Sequence, residues 1–165
     1  MVEADDRHWW YRGRRLILAG EIERLHLPAG ARLLDAGCGS GRMLDELERF
    51  GTVAGTDTSL WAVVAARGRG HHDVEMETLE RLHHPDESFD LVTCLDVLEH
   101  VPEDERALAE LWRVTVPGGH LLVTVPAYQA LWSAHDVANH HYRRYRKRSL
   151  ADSARETGWE IQRTT

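Results

Sequence analysis

Leu33-Leu34-Asp35-Ala36-Gly37-Cys38-Gly39-Ser40-Gly41 is the stretch on which the fold turns. A short apolar run closes on three glycines spaced G-x-G-x-G, and residues 42–50 behind them carry a helical pattern. Glycine at a strand-to-helix turn adopts dihedrals that a Cβ forbids and lets backbone amides approach a ligand. In open α/β sheets ligands sit at the carboxyl ends of the strands, beside the point where strand order reverses. A glycine turn by itself also serves close packing, so its neighbours decide.

Arg42 stands where the dinucleotide pattern G-x-G-x-x-G requires glycine, and its long side chain obstructs a pyrophosphate. NAD or FAD is the weaker reading. Asp35 precedes the turn, where its charge repels a diphosphate but suits a ligand carrying an ammonium and a sulfonium. Asp57 follows Gly37 by 20 residues, at the end of a second expected strand, where a carboxylate accepts hydrogen bonds from ribose hydroxyls. Alone, Asp57 is equally a helix cap, with Thr58 and Ser59 as rivals.

Working outward, residues 5–25 read as a helix on which Leu16, Ile17, Ile22 and Leu25 share a face. Strands are expected at 31–36, 52–56, 89–95, 120–125 and 160–164, with a short one at 74–76. Helices are expected at 42–50, 60–67, 103–113 and 149–157, and Pro117-Gly118-Gly119 reads as a turn. Apolar strands alternating with helices predict a parallel sheet between two helical layers, with right-handed crossovers. Residues 1–165 form one α/β domain in this reading, with no repeat, low-complexity tract or linker.

The formal charge of −7 excludes a general polyanion-binding surface, so nucleic acid is not an expected partner. Residues 143–148 form one basic run, either a solvated helix start or a site for a phosphate-bearing acceptor. No apolar stretch reaches the ~20 residues needed to span a bilayer. The acidic residues 1–6 are not a secretory signal, and two cysteines make no disulfide framework, so a cytoplasmic location is expected.

Pro85-Asp86-Glu87-Ser88-Phe89-Asp90-Leu91-Val92, Asp96-Val97-Leu98-Glu99-His100-Val101 and Arg113-Val114-Thr115-Val116-Pro117-Gly118-Gly119 follow the glycine turn in order. Together these stretches resemble the successive motifs of class I S-adenosylmethionine (SAM)-dependent methyltransferases, in particular the small-molecule group similar to ubiquinone-biosynthesis enzymes. The resemblance implies a Rossmann-like three-layer sandwich with a mostly parallel sheet. It also implies transfer of a methyl group from SAM to a small-molecule acceptor by in-line displacement. Asp35, Gly37, Cys38 and Gly39 would then surround the methionine part of SAM, and Asp57 with Thr58 would hold the ribose. Thr78 and Leu79 would flank the adenine, with Cys94 and Leu95 at the pocket floor. The family usually carries an acidic residue at the position of Thr78, which Glu77 adjoins. Sheets of the family have seven strands, whereas this chain ends at Thr165 after a sixth. The expectation is a C-terminally incomplete domain, or an exposed edge covered by a second copy in a homodimer.

The two ends build the acceptor side in this reading. Residues 1–27 resemble the family's N-terminal lid, with Trp10, Tyr11 and Arg15 toward the cofactor; alternatively the aromatic residues pack the first helix on the sheet. A second segment carries His135-Asp136 and then His141-Tyr142-Arg143-Arg144-Tyr145, an H-D … H-x-R-R-Y pattern in a long irregular connection. His100, His135 and His141 are the candidate general bases, because histidine titrates near neutrality. A metal is not expected: neighbouring histidines on a strand face opposite ways, and no i, i+4 histidine pair is backed by a carboxylate. The acceptor is a small molecule, lipid-linked or a glycan. Two rivals stand beside methyl transfer, a non-catalytic SAM-binding module and an NAD-dependent oxidoreductase.

Overall fold

Five parallel strands in the order β3-β2-β1-β4-β5 form the centre of the computed structural model, which describes residues 9–165, with side chains from residue 13 onward. The strands are β1 (Arg32–Ala36), β2 (Thr52–Asp57), β3 (Val74–Met76), β4 (Phe89–Leu95) and β5 (Thr115–Thr124). Helix α1 (Trp9–Glu23) precedes the sheet, and α2 (Arg42–Leu47), α3 (Leu60–Gly68) and α4 (Asp104–Val114) connect its strands. Short α5 (Ala134–Ala138) and longer α6 (Lys147–Glu156) follow it. Strand order reverses between β1 and β4, so the ends of these two strands diverge and leave a crevice between their connections.

Alternation along each strand divides the core in two. Leu33 and Leu91 face a cluster built with Leu18 and Ile22 of α1, Leu44 and Leu47 of α2, and Val63 and Ala66 of α3. Leu34, Val92 and Cys94 face the opposite cluster, built with Leu108 and Leu111 of α4, Ala154 of α6, Tyr145 and Trp159. Both faces of the central strands are therefore covered, which is why β1 and β4 read as nearly unbroken apolar runs.

The structure corrects four sequence expectations. On α1, Leu16 and Ile17 are exposed, and the buried stripe is Leu18, Ala19 and Ile22. A helix advances about 100° per residue, so one face cannot hold both 16–17 and 22. Strand β5 begins at Thr115, before the expected turn. Pro117-Gly118-Gly119 is instead absorbed as a register shift, pairing moving from Phe89↔Thr115 to Leu91↔His120. A Cβ on Gly119 would meet the Asp90 carbonyl oxygen at 3.0 Å, so this close crossing needs glycine. Residues 160–164 form no strand: Trp159 turns inward, its Nε1 donating to the Leu108 carbonyl at 3.1 Å, and the outer edge of β5 pairs with nothing among the described residues. The connection 127–145 is more ordered than expected. It is pinned at its base by an Ala127↔Tyr145 bridge and carries α5, capped by Ser133. No helix of the described residues is long and apolar enough to cross a membrane.

Candidate functional site

The glycine turn lies at the carboxyl end of β1, as its sequence requires. Gly37, Gly39 and Gly41 have φ of +86°, +56° and +82°. The Gly37 and Cys38 amides donate to the Thr56 carbonyl at 2.7 and 2.8 Å, bending the chain over the end of β2. A Cβ on Gly37 would lie 2.3 Å from Val97 Cγ2, whereas one on Gly39 would meet nothing within 4 Å. The first glycine thus seats the turn against the β4 side, and the second borders open space.

Asp57, at the end of β2, accepts from the Gly39 amide through Oδ2 and from the Ser59 amide through Oδ1, both at 2.9 Å. Each carboxylate oxygen retains a lone pair for a further donor. Ser59 caps α3, accepting from the Ala62 amide, so Asp57 is not that helix's cap residue.

A cavity of about 220 Å³ opens beside the turn, lined by Asp35, Gly37, Cys38, Gly39, Leu95 and, from α1, Arg14 and Arg15. Asp35 is buried and accepts from Thr93 Oγ1 at 2.6 Å, its register partner on β4. Burial pushes the Asp35 carboxyl up from 3.8 to about 6. A buried carboxylate with one hydroxyl partner on a cavity wall suits a cationic ligand and repels a diphosphate. Burial likewise pushes the Cys38 thiol up to about 12 and the Cys94 thiol above its usual range, so neither is a nucleophile.

Of the other cofactor-side residues, Leu95 reaches the cavity but Cys94 does not; it is fully buried in the cluster on the opposite sheet face. The alternation of a strand separates two neighbours that the motif joins. Leu79 is buried, and Thr58 and Thr78 are exposed. Glu77 is buried; one carboxylate oxygen meets His83 Nδ1 at 2.6 Å, and the other has no partner among the described residues. Arg15 lines the cavity and lies 3.9 Å from Glu46. The Trp10 and Tyr11 side chains lie outside the described residues. Sequence reasoning missed Arg14, which binds Asp96 at 2.7 Å and donates to Thr124 Oγ1 at 2.8 Å, tying α1 to the ends of β4 and β5.

A second group of polar side chains lies beyond β4. The Leu98–His100 turn presents Glu99 and His100, and the 127–145 connection brings His141 against them, the two imidazole centroids 4.6 Å apart. His135 is exposed, its ring 6.5 Å from that of His141. The H-D … H-x-R-R-Y pattern is largely the scaffold of this arrangement. Asp136, wholly buried, takes two hydrogen bonds from Arg144 at 2.7 and 2.9 Å, meets His141 Nδ1 at 3.0 Å and accepts from Ser133. Arg144 and these donors hold the Asp136 carboxyl far below the usual carboxylate range. Arg143 donates to Asp104 at 2.6 Å, and Tyr145 Oη donates to the same carboxylate at 2.7 Å. Burial pushes Glu99 up to about 7 and holds His100 below its usual value.

A family profile described as "Methyltransferase domain" matches residues 9–164. The chain belongs to the class I SAM-dependent methyltransferases. It is 42% identical over 103 residues to the ubiquinone biosynthesis O-methyltransferase of Alkalilimnicola ehrlichii, covering 56% of this chain and 40% of that protein. The corresponding enzyme of Thiobacillus denitrificans is 31% identical over 186 residues, covering 95% of this chain and 80% of that one. This methyltransferase domain thus spans less than half of the first relative and most of the second. Among solved structures, the [4+2]-cyclase SpnF is similar with a TM-score of 0.79 and 29% identity, over 95% of this chain and 61% of that one. That likeness concerns architecture.

The residues at the cavity fit the family's methyl donor. Asp57, tied to the turn through the Gly39 amide, keeps a lone pair on each oxygen, Gly39 leaves room for a ligand against the backbone, and Asp35 lacks a cation at hydrogen-bond distance among the described residues.

Proposed function

We propose that this domain transfers the methyl group of SAM to a hydroxyl of a small-molecule acceptor. The observation that carries the reading is the Gly39 amide bonded to Asp57, because Gly39 lines a cavity whose wall also holds a buried carboxylate, Asp35. Bound SAM supplies an electrophilic methyl on sulfur. Asp57 and Thr58 receive the ribose hydroxyls, and Asp35 with the 37–39 turn faces the amino-acid part. Thr78 and Leu79 flank the adenine, Leu95 closes the floor, and helix α1 with Trp10, Tyr11 and Arg15 forms the lid. Water exclusion under such a lid strengthens the electrostatics of the site.

The acceptor enters from the 127–145 connection. Tyr128, Leu131, Val137 and Tyr142 are all more than half exposed there, and Arg146, Lys147 and Arg148 follow. Exposed apolar side chains beside a basic run suit a lipid-linked or glycan-bearing acceptor. Its hydroxyl reaches His100 and His141, the site of proton removal, with His135 at the mouth. The name of the two curated relatives, O-methyltransferase, supports oxygen as the methylated atom. Residues 1–165 act as one domain in a reducing compartment such as the cytoplasm, where two buried thiols stay reduced. The open β5 edge is the surface a second copy would cover.

Isothermal titration of the protein with SAM, S-adenosylhomocysteine and NAD tests the reading. Binding of the first two and not the third is expected; NAD binding without SAM binding would overturn it.

A further inference from the structure

A buried histidine far from the acceptor end touches the cofactor turn. His71 lies in the connection between α3 and β3 and is 5% exposed. Its amide donates to the Ala66 carbonyl of α3 at 3.3 Å. Its ring reaches the glycine turn: a Cβ on Gly41 would meet His71 Cδ2 at 3.0 Å and Ala66 Cβ at 3.0 Å. Gly41, at φ +82°, therefore sits in a slot walled by α3 and by the imidazole.

The ring is bonded as well as packed. Nε2 lies 2.8 Å from Asp45 Oδ1, and an ionised carboxylate only accepts, so this nitrogen donates. Asp45 stands in the first turn of α2, and its amide donates back to the Gly41 carbonyl at 3.3 Å. Arg69 binds the other Asp45 oxygen, and Nδ1 of His71 faces Glu48 Oε1 at 3.2 Å. A buried imidazole costs free energy unless it is bonded, and a leucine of similar size would carry no such cost. The wall of the cofactor cavity hangs on these contacts, because Ser40, Arg42 and Met43, which flank Gly41, all line it. His71 itself is not among the lining residues.

We infer that His71 is a positioning residue for methyl transfer: wedged against Gly41 and donating to Asp45, it fixes the 37–41 turn in the conformation that receives SAM. The inference rests on the reading of that turn as the SAM site. Ordering a loop at the moment of binding costs affinity, so a turn held in advance binds its ligand more tightly. The support comes from the connection that feeds β3, so the turn after β1 is set by a segment two strands away in the sheet.

The test is calorimetric titration of the whole chain and its variants with SAM, each variant checked by far-ultraviolet circular dichroism. His71→Leu keeps the volume and removes the donor; affinity is expected to fall about tenfold, the worth of one hydrogen bond to a charged group. His71→Gln, whose amide nitrogen can reach Asp45, is expected to restore most of the loss. Space filling alone would not separate these two variants. Asp45→Ala is expected to weaken SAM to a similar degree, and combining it with His71→Leu to add little, because the two residues act through one bond. Urea unfolding of each variant separates stability from affinity. Should His71→Leu fail to fold, Asp45→Ala carries the test, its side chain being 41% exposed. Wild-type affinity in either single variant, equal affinity in the leucine and glutamine variants, or additive losses in the double variant overturns the inference while the cofactor site stands. A wild type that binds no SAM overturns the site, and the inference with it.

Discussion

Asp35→Asn removes a charge from the cavity wall without changing shape, and the two consequences have opposite signs. Burial raises the Asp35 carboxyl from 3.8 to about 6. Between those values the folded protein holds a proton that the unfolded chain releases, so stability falls as pH rises from about 4 to about 6. The shift amounts to about 3 kcal/mol of destabilisation, fully present above pH 6. Asparagine carries no charge and still accepts from Thr93 Oγ1 at the same oxygen. The variant is therefore expected to be more stable than wild type at pH 7, by up to about 3 kcal/mol, and close to it at pH 4. At roughly 2–4 °C per kcal/mol this is a shift of several degrees in Tm. Binding runs the other way. A ligand bearing ammonium and sulfonium charges needs the ionised carboxylate, so wild-type affinity for SAM weakens about tenfold from pH 7 to pH 5, and the variant is weak and flat throughout. Thermal unfolding at pH 4, 5 and 7, read as the difference between variant and wild type, isolates Asp35 from other titrating groups; calorimetry with SAM over the same range reads the binding. A variant less stable at pH 7 that binds SAM as tightly as wild type would refute the reasoning.

Other substitutions probe the frame around the site. Gly37→Ala places a Cβ 2.3 Å from Val97 Cγ2 at a φ of +86°, and is expected to destabilise by roughly 2–5 kcal/mol and to abolish SAM binding, measured by urea unfolding and calorimetry. Tyr145→Phe removes the hydroxyl that donates to Asp104 at 2.7 Å in a buried setting; a loss of roughly 1–3 kcal/mol is expected, with SAM affinity unchanged. Trp159→Ala opens the core between α4 and α6, and a loss of roughly 3–5 kcal/mol by thermal unfolding is expected if the chain after α6 docks through this ring rather than through a strand.

The parts of the site that are local in sequence were the legible ones. The glycine turn, Asp35 and Asp57 lie on consecutive strand ends, and parallel pairing of β1 with β2 places them together with no further information. The same local logic predicted four of the first five strands closely. It failed where distant packing decides. The face of α1 depends on its rotation against β1 and β4, so Leu16 and Ile17 were misplaced inward and Arg14 was overlooked. Residues 160–164 follow a helix and the Gly158-Trp159 break and so read as a strand, but pairing needs a neighbour, and Trp159 commits the chain to α4 instead. The histidines show the limit most clearly. His100 and His141 are 41 residues apart, and only the closed 127–145 connection, built by Asp136, Arg144 and Tyr145, turns them toward Glu99. Adjacent histidine pairs drew attention in the sequence, yet the pairing that matters is across the fold.

The central claim is that Asp57 and the 37–41 turn together hold the sugar of SAM. Calorimetric titration of Asp57→Ala with SAM, on protein whose circular dichroism matches wild type, tests it most directly. Hydrogen bonds to a charged carboxylate contribute about 1.5–3 kcal/mol each, so affinity should fall by roughly a hundredfold or more. Affinity equal to that of the wild type would contradict the account.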